Sequence, residues 1–254
     1  MDRNGLVATI TLDRPDARNA LDRELMVELT QMISTLSGDG TRVIVLTGAG
    51  TSFCAGADIE WMRKARDLDH DANVADAAMA RTMFETIDAC PRPIIARVNG
   101  HALGGGAGLV ACADVAVAAS GATFGFTETR LGLIPAAVSP YVLRTIGPGH
   151  ARALFTTGER FDAQRALAIG LVHRVCEPDR LEHVVADYVL AYLTSGPDAI
   201  AAAKQLVRDA SAGLALPDLA ERLAITRAGN EAREGLDAFL GKRPPTWSPE
   251  SHAS

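Results

Sequence analysis

The apolar and polar positions of the first two thirds of the chain follow a strand and helix pattern. Residues 6–15 alternate apolar and polar side chains before a proline, which predicts a strand. Residues 41–50 form a β-branched run that ends in glycine, and 93–100 form a second apolar run, as expected for strands buried on both faces. Residues 20–36 repeat apolar side chains at helical spacing. This part of the chain is therefore predicted to be α/β.

The pattern turns helical in the last third of the chain. A strand-like run at 171–178 follows the first helical stretches, and amphipathic helix then extends from Leu181 to Leu240 with breaks near Gly196 and Leu216. The chain is accordingly divided into a core of residues 1–195 and a C-terminal helical region of residues 196–254. The proline- and serine-rich tail from Lys242 is expected to fray. The helical stretches before residue 171 are predicted at 138–146, 149–156 and 163–169.

Composition narrows the class of protein. The chain has 254 residues, 48% hydrophobic and 22% charged, which is typical of a globular protein. Its net charge of −6 and the absence of a Lys/Arg cluster argue against nucleic-acid binding. No apolar run reaches the roughly 20 residues that span a bilayer, and the N-terminus does not resemble a signal peptide, so we expect a cytoplasmic protein. The scattered cysteines are expected to be reduced, mostly buried thiols rather than metal ligands, and they are Cys54, Cys90, Cys112 and Cys176.

Two glycine-rich loops are the main candidates for chemistry. They lie in residues 47–62 and 99–114, and each leads from a strand into a helix. Such a junction exposes backbone N–H groups at the positive end of a helix, and two junctions side by side could stabilise a developing oxyanion. The alternative is that the glycines only permit tight turns. Phosphate binding of the P-loop type is poorly supported, because GHALGGGAG lacks the Lys and Ser/Thr of that motif.

Five motifs spread over the chain resemble the crotonase (enoyl-CoA hydratase/isomerase) superfamily. They are RPDARNAL (14–21), FCAGADIEWM (53–62), VNGHALGGGAG (98–108), FGFTETRLGLIP (124–135) and DAFLGKRPP (237–245). The resemblance implies a spiral core of ββα turns and a helical C-terminal region that forms trimers or dimers of trimers. It also implies an acyl-CoA thioester as substrate, with no metal or redox cofactor and with coenzyme A entering only as part of the substrate.

The same resemblance implies roles for individual residues. The family's oxyanion donors correspond to the backbone N–H groups of Ala57 and Gly105, where a side chain on Gly105 is expected to obstruct the thioester. Hydratases of the family commonly carry two glutamates. The second corresponds to Glu128, whereas the first corresponds to Gly108. Without the family context, Glu128 would be taken as a surface glutamate beside Arg130.

Three functions remain open at this point. A single glutamate suffices to move a proton between two carbons, which favours a 3-enoyl to 2-enoyl isomerase. In a hydratase with one glutamate, the same carboxylate must both remove a proton from water and deliver a proton to carbon. Residues 136–147 and the GADIEWM loop resemble the 3-methylglutaconyl-CoA and isoprenoid-glutaconyl-CoA hydratase branch, which favours hydration. A coenzyme A-binding oligomer without catalysis is the third possibility. We take the hydratase as the prediction.

The remaining candidates concern the substrate. Asp16 replaces a lysine common in the family, and Arg18 could take over its phosphate contact. Asp58 could contact substrate, but an N-terminal cap of the following helix is the preferred interpretation. Tyr141 could close the acyl pocket, although an aromatic residue in a helix is more often core. The other substrate-binding positions implied by the resemblance are Ala17, Ala20, Ala55, Ile59, Gly108, Phe239 and Lys242.

Overall fold

The computed structural model describes residues 1–211, 213 and 216–249. Ten strands are present in this part of the chain. They are β1 (Asp2–Asn4), β2 (Val7–Leu12), β3 (Val43–Gly48), β4 (Ser52–Cys54), β5 (Ile94–Val98), β6 (His101–Leu103), β7 (Val115–Ala119), β8 (Thr123–Gly125), β9 (Arg160–Asp162) and β10 (Arg174–Cys176).

The same residues form ten α-helices, which lie between and after the strands. They are α1 (Arg23–Leu36), α2 (Ile59–Ala65), α3 (His70–Ala89), α4 (Gly105–Cys112), α5 (Ser139–Thr157), α6 (Ala163–Ala168), α7 (Leu181–Thr194), α8 (Pro197–Ser211), α9 (Leu216–Ala228) and α10 (Asn230–Leu240). None of the helices in the described ranges is long and apolar enough to cross a bilayer.

The larger sheet has six strands in the order β1-β2-β3-β5-β7-β10. Only β1 runs antiparallel to its neighbour, and the other pairs are parallel. All six residues of β3 are buried, which explains its continuous apolar sequence. The alternating sequence of β2 gives an alternation of half-buried and buried residues. These strands confirm the pattern predicted for residues 6–15, 41–50 and 93–100.

The smaller sheet carries the glycine loops. Its order is β4-β6-β8-β9, with parallel pairing of β4, β6 and β8. The parallel neighbours β4 and β6 lead respectively into α2 and α4, so both strand-to-helix junctions lie at the same edge of the sheet. Strand β8 leads into a 3-10 helix, Glu128–Leu131, at that edge too. The strands of this sheet have three residues each, too few to show a period, and the sequence pattern did not predict them.

Helix boundaries differ from the predictions where side chains or glycine intervene. Helix α1 begins after Asp22, whose carboxylate accepts the backbone N–H of Leu25. The separate helical stretches predicted at 138–146 and 149–156 are confirmed, because the non-helical Gly147, with a φ of 75°, divides α5 into two helical parts. An additional break at Gly229 separates α9 from α10. The predicted boundary at residues 195–196 falls between α7 and α8.

The tail is more firmly attached than the sequence suggested. Trp247 donates its indole N–H to the Thr194 carbonyl, and the Arg42 guanidinium donates to the Trp247 carbonyl. Ser248 is buried. The expectation of fraying is therefore wrong up to residue 249, because these contacts fix the tail against the end of α7. Residues 250–254 lie outside the described residues.

Candidate active site

A cavity of about 640 Å³ lies where both glycine loops end. Its wall combines the loops that follow β4, β6 and β8 with parts of α1, α2 and α3. Most of the lining is apolar, which suits an acyl chain. The residues that line the cavity include Leu21, Ala55, Ala57, Trp61, Arg66, Asn73, Asp76, Phe84, Gly104, Gly105, Glu128 and Val138.

Two backbone N–H groups in this wall have no acceptor among the described residues. The first belongs to Ala57, although the neighbouring N–H groups of Ala55 and Asp58 are both hydrogen-bonded. The second belongs to Gly105, the first residue of α4, where an N–H has no partner within the helix. Both donors line the same cavity, and Gly105 adds the positive end of a helix. The structure therefore brings together the two predicted oxyanion donors.

The first two glycines of the triplet, Gly104 and Gly105, pack against different side chains. Gly104 has a φ of 50°, and a β-carbon there would lie 3.0 Å from Oε1 of Glu128. A β-carbon on Gly105 would instead lie 2.9 Å from Cδ1 of Leu21. A side chain at Gly105 would therefore meet Leu21, which also lines the cavity, and the expectation that it would obstruct the thioester stays a prediction. Gly104 is the glycine that gives the Glu128 carboxylate its room.

Glu128 is an acid in an apolar setting. It begins the 3-10 helix after β8 and lines the cavity. Its Oε2 atom is buried and has no hydrogen-bond partner among the described residues. Burial raises the pKa of the Glu128 carboxyl group above its ordinary value, whereas a backbone hydrogen bond acts in the opposite direction. A half-buried, unpaired carboxylate beside two free N–H donors is an arrangement for proton transfer, and the surface-glutamate interpretation is wrong.

Gly108 lies in a tightly filled part of the core. A β-carbon there would be 2.2 Å from Cγ1 of Val138 and 3.1 Å from the Phe84 ring. Val138 and Phe84 both line the cavity, so their side chains separate Gly108 from it. The surroundings of Gly108 leave no space for a glutamate side chain, and a second carboxylate at this position would require the wall to move.

The predicted coenzyme A segments are partly brought together. The Ala55 N–H donates to the Arg18 carbonyl at 3.0 Å, so the AGAD loop and the RPDARNAL segment are in contact. Ala55 lines the cavity and Arg18 is exposed. Ala17 is half-buried and Ala20 is buried on the same segment.

The other predicted contacts lie outside the cavity wall. Phe239, at the end of α10, is 79% exposed, and Lys242 follows with a left-handed φ of 52°. Ile59 is exposed on the first turn of α2. The cap predicted at Asp58 is confirmed, because its carboxylate accepts the N–H groups of Glu60 and Trp61.

Tyr141 belongs to the hydrophobic core. It is buried, and its ring centroid lies 6.0 Å from that of Phe84. Burial raises the pKa of its hydroxyl group to about 12. Tyr141 thus supports the cavity wall from behind, through Phe84.

One polar residue of the cavity was missed by the sequence analysis. Asp76 on α3 is buried, lines the cavity and accepts a hydrogen bond from the Trp61 indole N–H at 3.1 Å. Arg23 approaches the same carboxylate at 3.6 Å. Nothing in the sequence pattern of α3 distinguishes Asp76 from the exposed acids on the same helix. Arg66 and Asn73 complete the polar lining at this end of the cavity.

The geometry of the cavity agrees with the family and the relatives that this chain matches in sequence. A family model described as enoyl-CoA hydratase/isomerase matches residues 2–250. A protein of Thermus thermophilus named putative enoyl-CoA hydratase is 33% identical over 248 residues, which cover 96% of this chain and 98% of that protein. A crotonyl-CoA hydratase of Syntrophomonas wolfei is 32% identical and covers 96% of this chain and 95% of its own length.

Solved structures of enoyl-CoA hydratases share this fold. The crystal structure of an enoyl-CoA hydratase from Shewanella pealeana superposes with a TM-score of 0.92 at 38% identity. The match covers 96% of this chain and 93% of that chain. The predicted fold class, an α/β crotonase-like spiral with a helical C-terminal region, is confirmed.

Proposed function

Because the chain belongs to the enoyl-CoA hydratase/isomerase family, we propose that it hydrates 2-enoyl-CoA thioesters with Glu128 as its acid–base carboxylate. Hydratase activity is supported at the general level by the names of its relatives, which favour hydration over isomerisation. The observation that carries the residue assignment is the unpaired, buried Oε2 atom of Glu128 in a cavity shared with the free N–H groups of Ala57 and Gly105.

In the proposed reaction the thioester carbonyl oxygen accepts hydrogen bonds from the Ala57 and Gly105 N–H groups. Glu128 removes a proton from water as the water oxygen bonds to C3, and the electrons of the C2–C3 double bond move toward the carbonyl oxygen as an enolate. The protonated Glu128 then returns the proton to C2, which completes the addition of one water. The two N–H donors stabilise the enolate charge, and each such donor typically contributes roughly 10²–10³ in rate.

A single carboxylate can serve both proton transfers in this scheme. The elevated pKa of Glu128, caused by burial, brings proton gain and loss nearer to neutral pH than for an exposed glutamate. The alternative of a non-catalytic oligomer gains no support from this site, because a buried carboxylate oxygen without a partner costs stability and binding coenzyme A alone does not need it.

For the acyl group we propose a chain branched at C3, of the 3-methylglutaconyl or isoprenoid-glutaconyl type. The cavity volume of about 640 Å³ has room for more than a four-carbon chain. Arg66 and Asn73 line the cavity. The exposed Arg66 guanidinium pairs with Asp67 and the Asn73 amide donates to the Leu68 carbonyl, so a terminal carboxylate of such a substrate would bind here by exchanging these partners.

For the rest of the molecule we propose a homotrimer or a dimer of trimers, built through the C-terminal helices. Coenzyme A is proposed to lie along Ala17, Arg18, Ala20 and Ala55, with Phe239 and Lys242 reaching the site in the assembly. No further cofactor is proposed. The cytoplasmic location stays a prediction.

The test is mass spectrometry of 2-enoyl- and 3-enoyl-CoA thioesters, including crotonyl-CoA and 3-methylglutaconyl-CoA, incubated with the protein in heavy water. We expect the wild type to add one water to a 2-enoyl substrate, and Glu128→Gln to lower the rate of this addition about 10²–10⁴-fold. Glu85→Gln, an exposed glutamate on α3, is the matched control and should keep wild-type activity. A shifted double bond without added water would overturn hydration, and full activity of Glu128→Gln would overturn the residue assignment.

A further inference from the structure

We propose that Arg14 is a positioning residue for the oxyanion hole, because it fixes the loop of residues 55–58 that presents the Ala57 N–H. This inference rests on the proposed function, since it explains how one of the two donors is held. Arg14 does not line the cavity. It acts through Asp58 and through the backbone next to Leu21.

The backbone of the loop is held on both sides of Ala57. The Leu21 N–H donates to the Gly56 carbonyl at 2.7 Å, and the Asp58 N–H donates to the Leu21 carbonyl at 2.9 Å. These bonds form an isolated parallel bridge between Leu21 and Ala57 that leaves the Ala57 N–H unused. The position of Leu21 therefore sets the direction of the Ala57 donor.

The Arg14 guanidinium joins three groups around this bridge. Its Nη1 donates to the Ala20 carbonyl at 2.6 Å and lies 3.1 Å from Oδ2 of Asp58. Its Nη2 lies 3.0 Å from Oδ2 of Asp22. Ala20 directly precedes Leu21, Asp58 directly follows Ala57, and Asp22 and Asp58 cap α1 and α2. A planar fork of five N–H donors can serve all three acceptors, which an ammonium group cannot do in this geometry.

The turn between Arg14 and Leu21 is held by backbone and Asn19 contacts that a change of the Arg14 side chain leaves in place. Arg18 and Asn19 are non-glycine residues with φ of 53° and 56°, a left-handed conformation that persists only where the surroundings enforce it. The buried Asn19 side chain accepts the Arg14 N–H at 2.9 Å and donates to the Ser52 carbonyl at 2.8 Å. The strained turn is thus tied to β4, which leads into the oxyanion loop.

Arg14 also balances a charge. Asp58 is a carboxylate next to the Ala57 donor, where an unpaired anion would oppose the negative charge of the enolate. Burial acts to raise its pKa, but hydrogen bonds from the Trp61 N–H and from Arg14 prevail and lower it, so the carboxylate stays ionised. Loss of Arg14 would leave that anion uncompensated beside the reaction.

The experiment is a double-mutant cycle of Arg14→Gln and Asp58→Asn. The activity is hydration of whichever 2-enoyl-CoA of the thioester panel the wild type hydrates fastest, and calorimetry of free coenzyme A is a separate binding probe. We expect R14Q to lower kcat about 10- to 100-fold, at most as much as the complete loss of one oxyanion donor would. The Kd of coenzyme A should change less than about threefold. Asparagine still caps a helix but carries no charge, so R14Q/D58N is expected to be faster than R14Q alone.

Arg3→Gln is the matched control, because Arg3 lies on β1 at the edge of the larger sheet and forms a comparable ion pair with Asp39, and neither residue lines the cavity. Arg14→Lys, which keeps the charge but not the fork, should fall between wild type and R14Q, and it serves if R14Q does not fold. Equal kcat for R14Q and R3Q, a loss of coenzyme A affinity as large as the loss of kcat, or a double variant slower than R14Q would each overturn the inference. An inactive wild type would instead overturn the proposed function, and the inference with it.

Discussion

The Glu128 carboxyl group links activity to pH. Burial raises its pKa, and the proposed reaction begins with the carboxylate form. The acid limb of the kcat/KM profile should therefore lie above the ordinary glutamate range of about 4.3. The measurement is the rate of crotonyl-CoA hydration against pH, corrected for stability. A rate that stays constant down to the ordinary glutamate range would contradict the assignment of Glu128 as the base.

The same group should link stability to pH. The folded state binds this proton more tightly than the unfolded state, so its contribution to stability is present at low pH and is lost as pH rises through the raised pKa. We expect the unfolding free energy of Glu128→Gln, relative to wild type, to rise as the pH increases above the ordinary glutamate range of about 4.3 and to level off once the wild-type carboxyl group is ionised. Urea unfolding across this range measures it, and Glu85→Gln should show no such trend.

Gly108 should resist even a methyl group. The β-carbon of Gly108→Ala would overlap Val138 Cγ1, and overpacking of this kind costs about 1–3 kcal/mol of unfolding free energy. Gly121→Ala, where no atom lies within 4 Å of the new β-carbon, is the matched control. The additional substitution Val138→Ala should recover part of the loss. Urea unfolding of the wild type, Gly108→Ala, Gly121→Ala and Gly108→Ala/Val138→Ala measures these differences. Unchanged stability of Gly108→Ala would contradict this prediction and show that Val138 moves aside at little cost in free energy.

At the scale of elements, the Trp61–Asp76 hydrogen bond joins α2 to α3 across one side of the cavity. Trp61→Phe removes the hydrogen-bond donor and leaves the buried Asp76 carboxylate with the long ion pair to the exposed Arg23, so we expect a loss of about 1–3 kcal/mol in unfolding free energy. Removing both partners in Trp61→Phe/Asp76→Ala should cost less than the sum of the single losses. Strictly additive losses in urea unfolding would mean that this bond does not couple the helices.

The strands and the glycine junctions could be predicted because they depend on local pattern. Runs such as that of β3 reveal two-sided burial, and glycine marks where β4 and β6 turn into helices. Asp76 could not be predicted, because its partner Trp61 lies on another helix and only the packing of α2 against α3 brings them together. The occupation of the space beside Gly108 by Val138, and the joint role of Arg14 with Asp58, likewise depend on contacts between distant segments.

At the scale of the whole molecule, the C-terminal helices expose large apolar side chains that a second copy could cover. Burying one such side chain typically contributes about 1.5–3 kcal/mol, so the set can hold an assembly together. Those more than half exposed on α8, α9 and α10 are Val207, Leu223, Ile225, Leu236, Phe239 and Leu240.

Sedimentation velocity tests this proposal. We expect the wild type to sediment as a trimer or a dimer of trimers, and Phe239→Asp to shift the distribution to smaller species, because a carboxylate would be buried in the interface without a partner. Val27→Asp, on the exposed side of α1, is the matched control and should leave the mass unchanged. A monomeric wild type at micromolar concentration would contradict the proposed assembly. In that case Phe239 and Lys242 could reach coenzyme A only within their own chain.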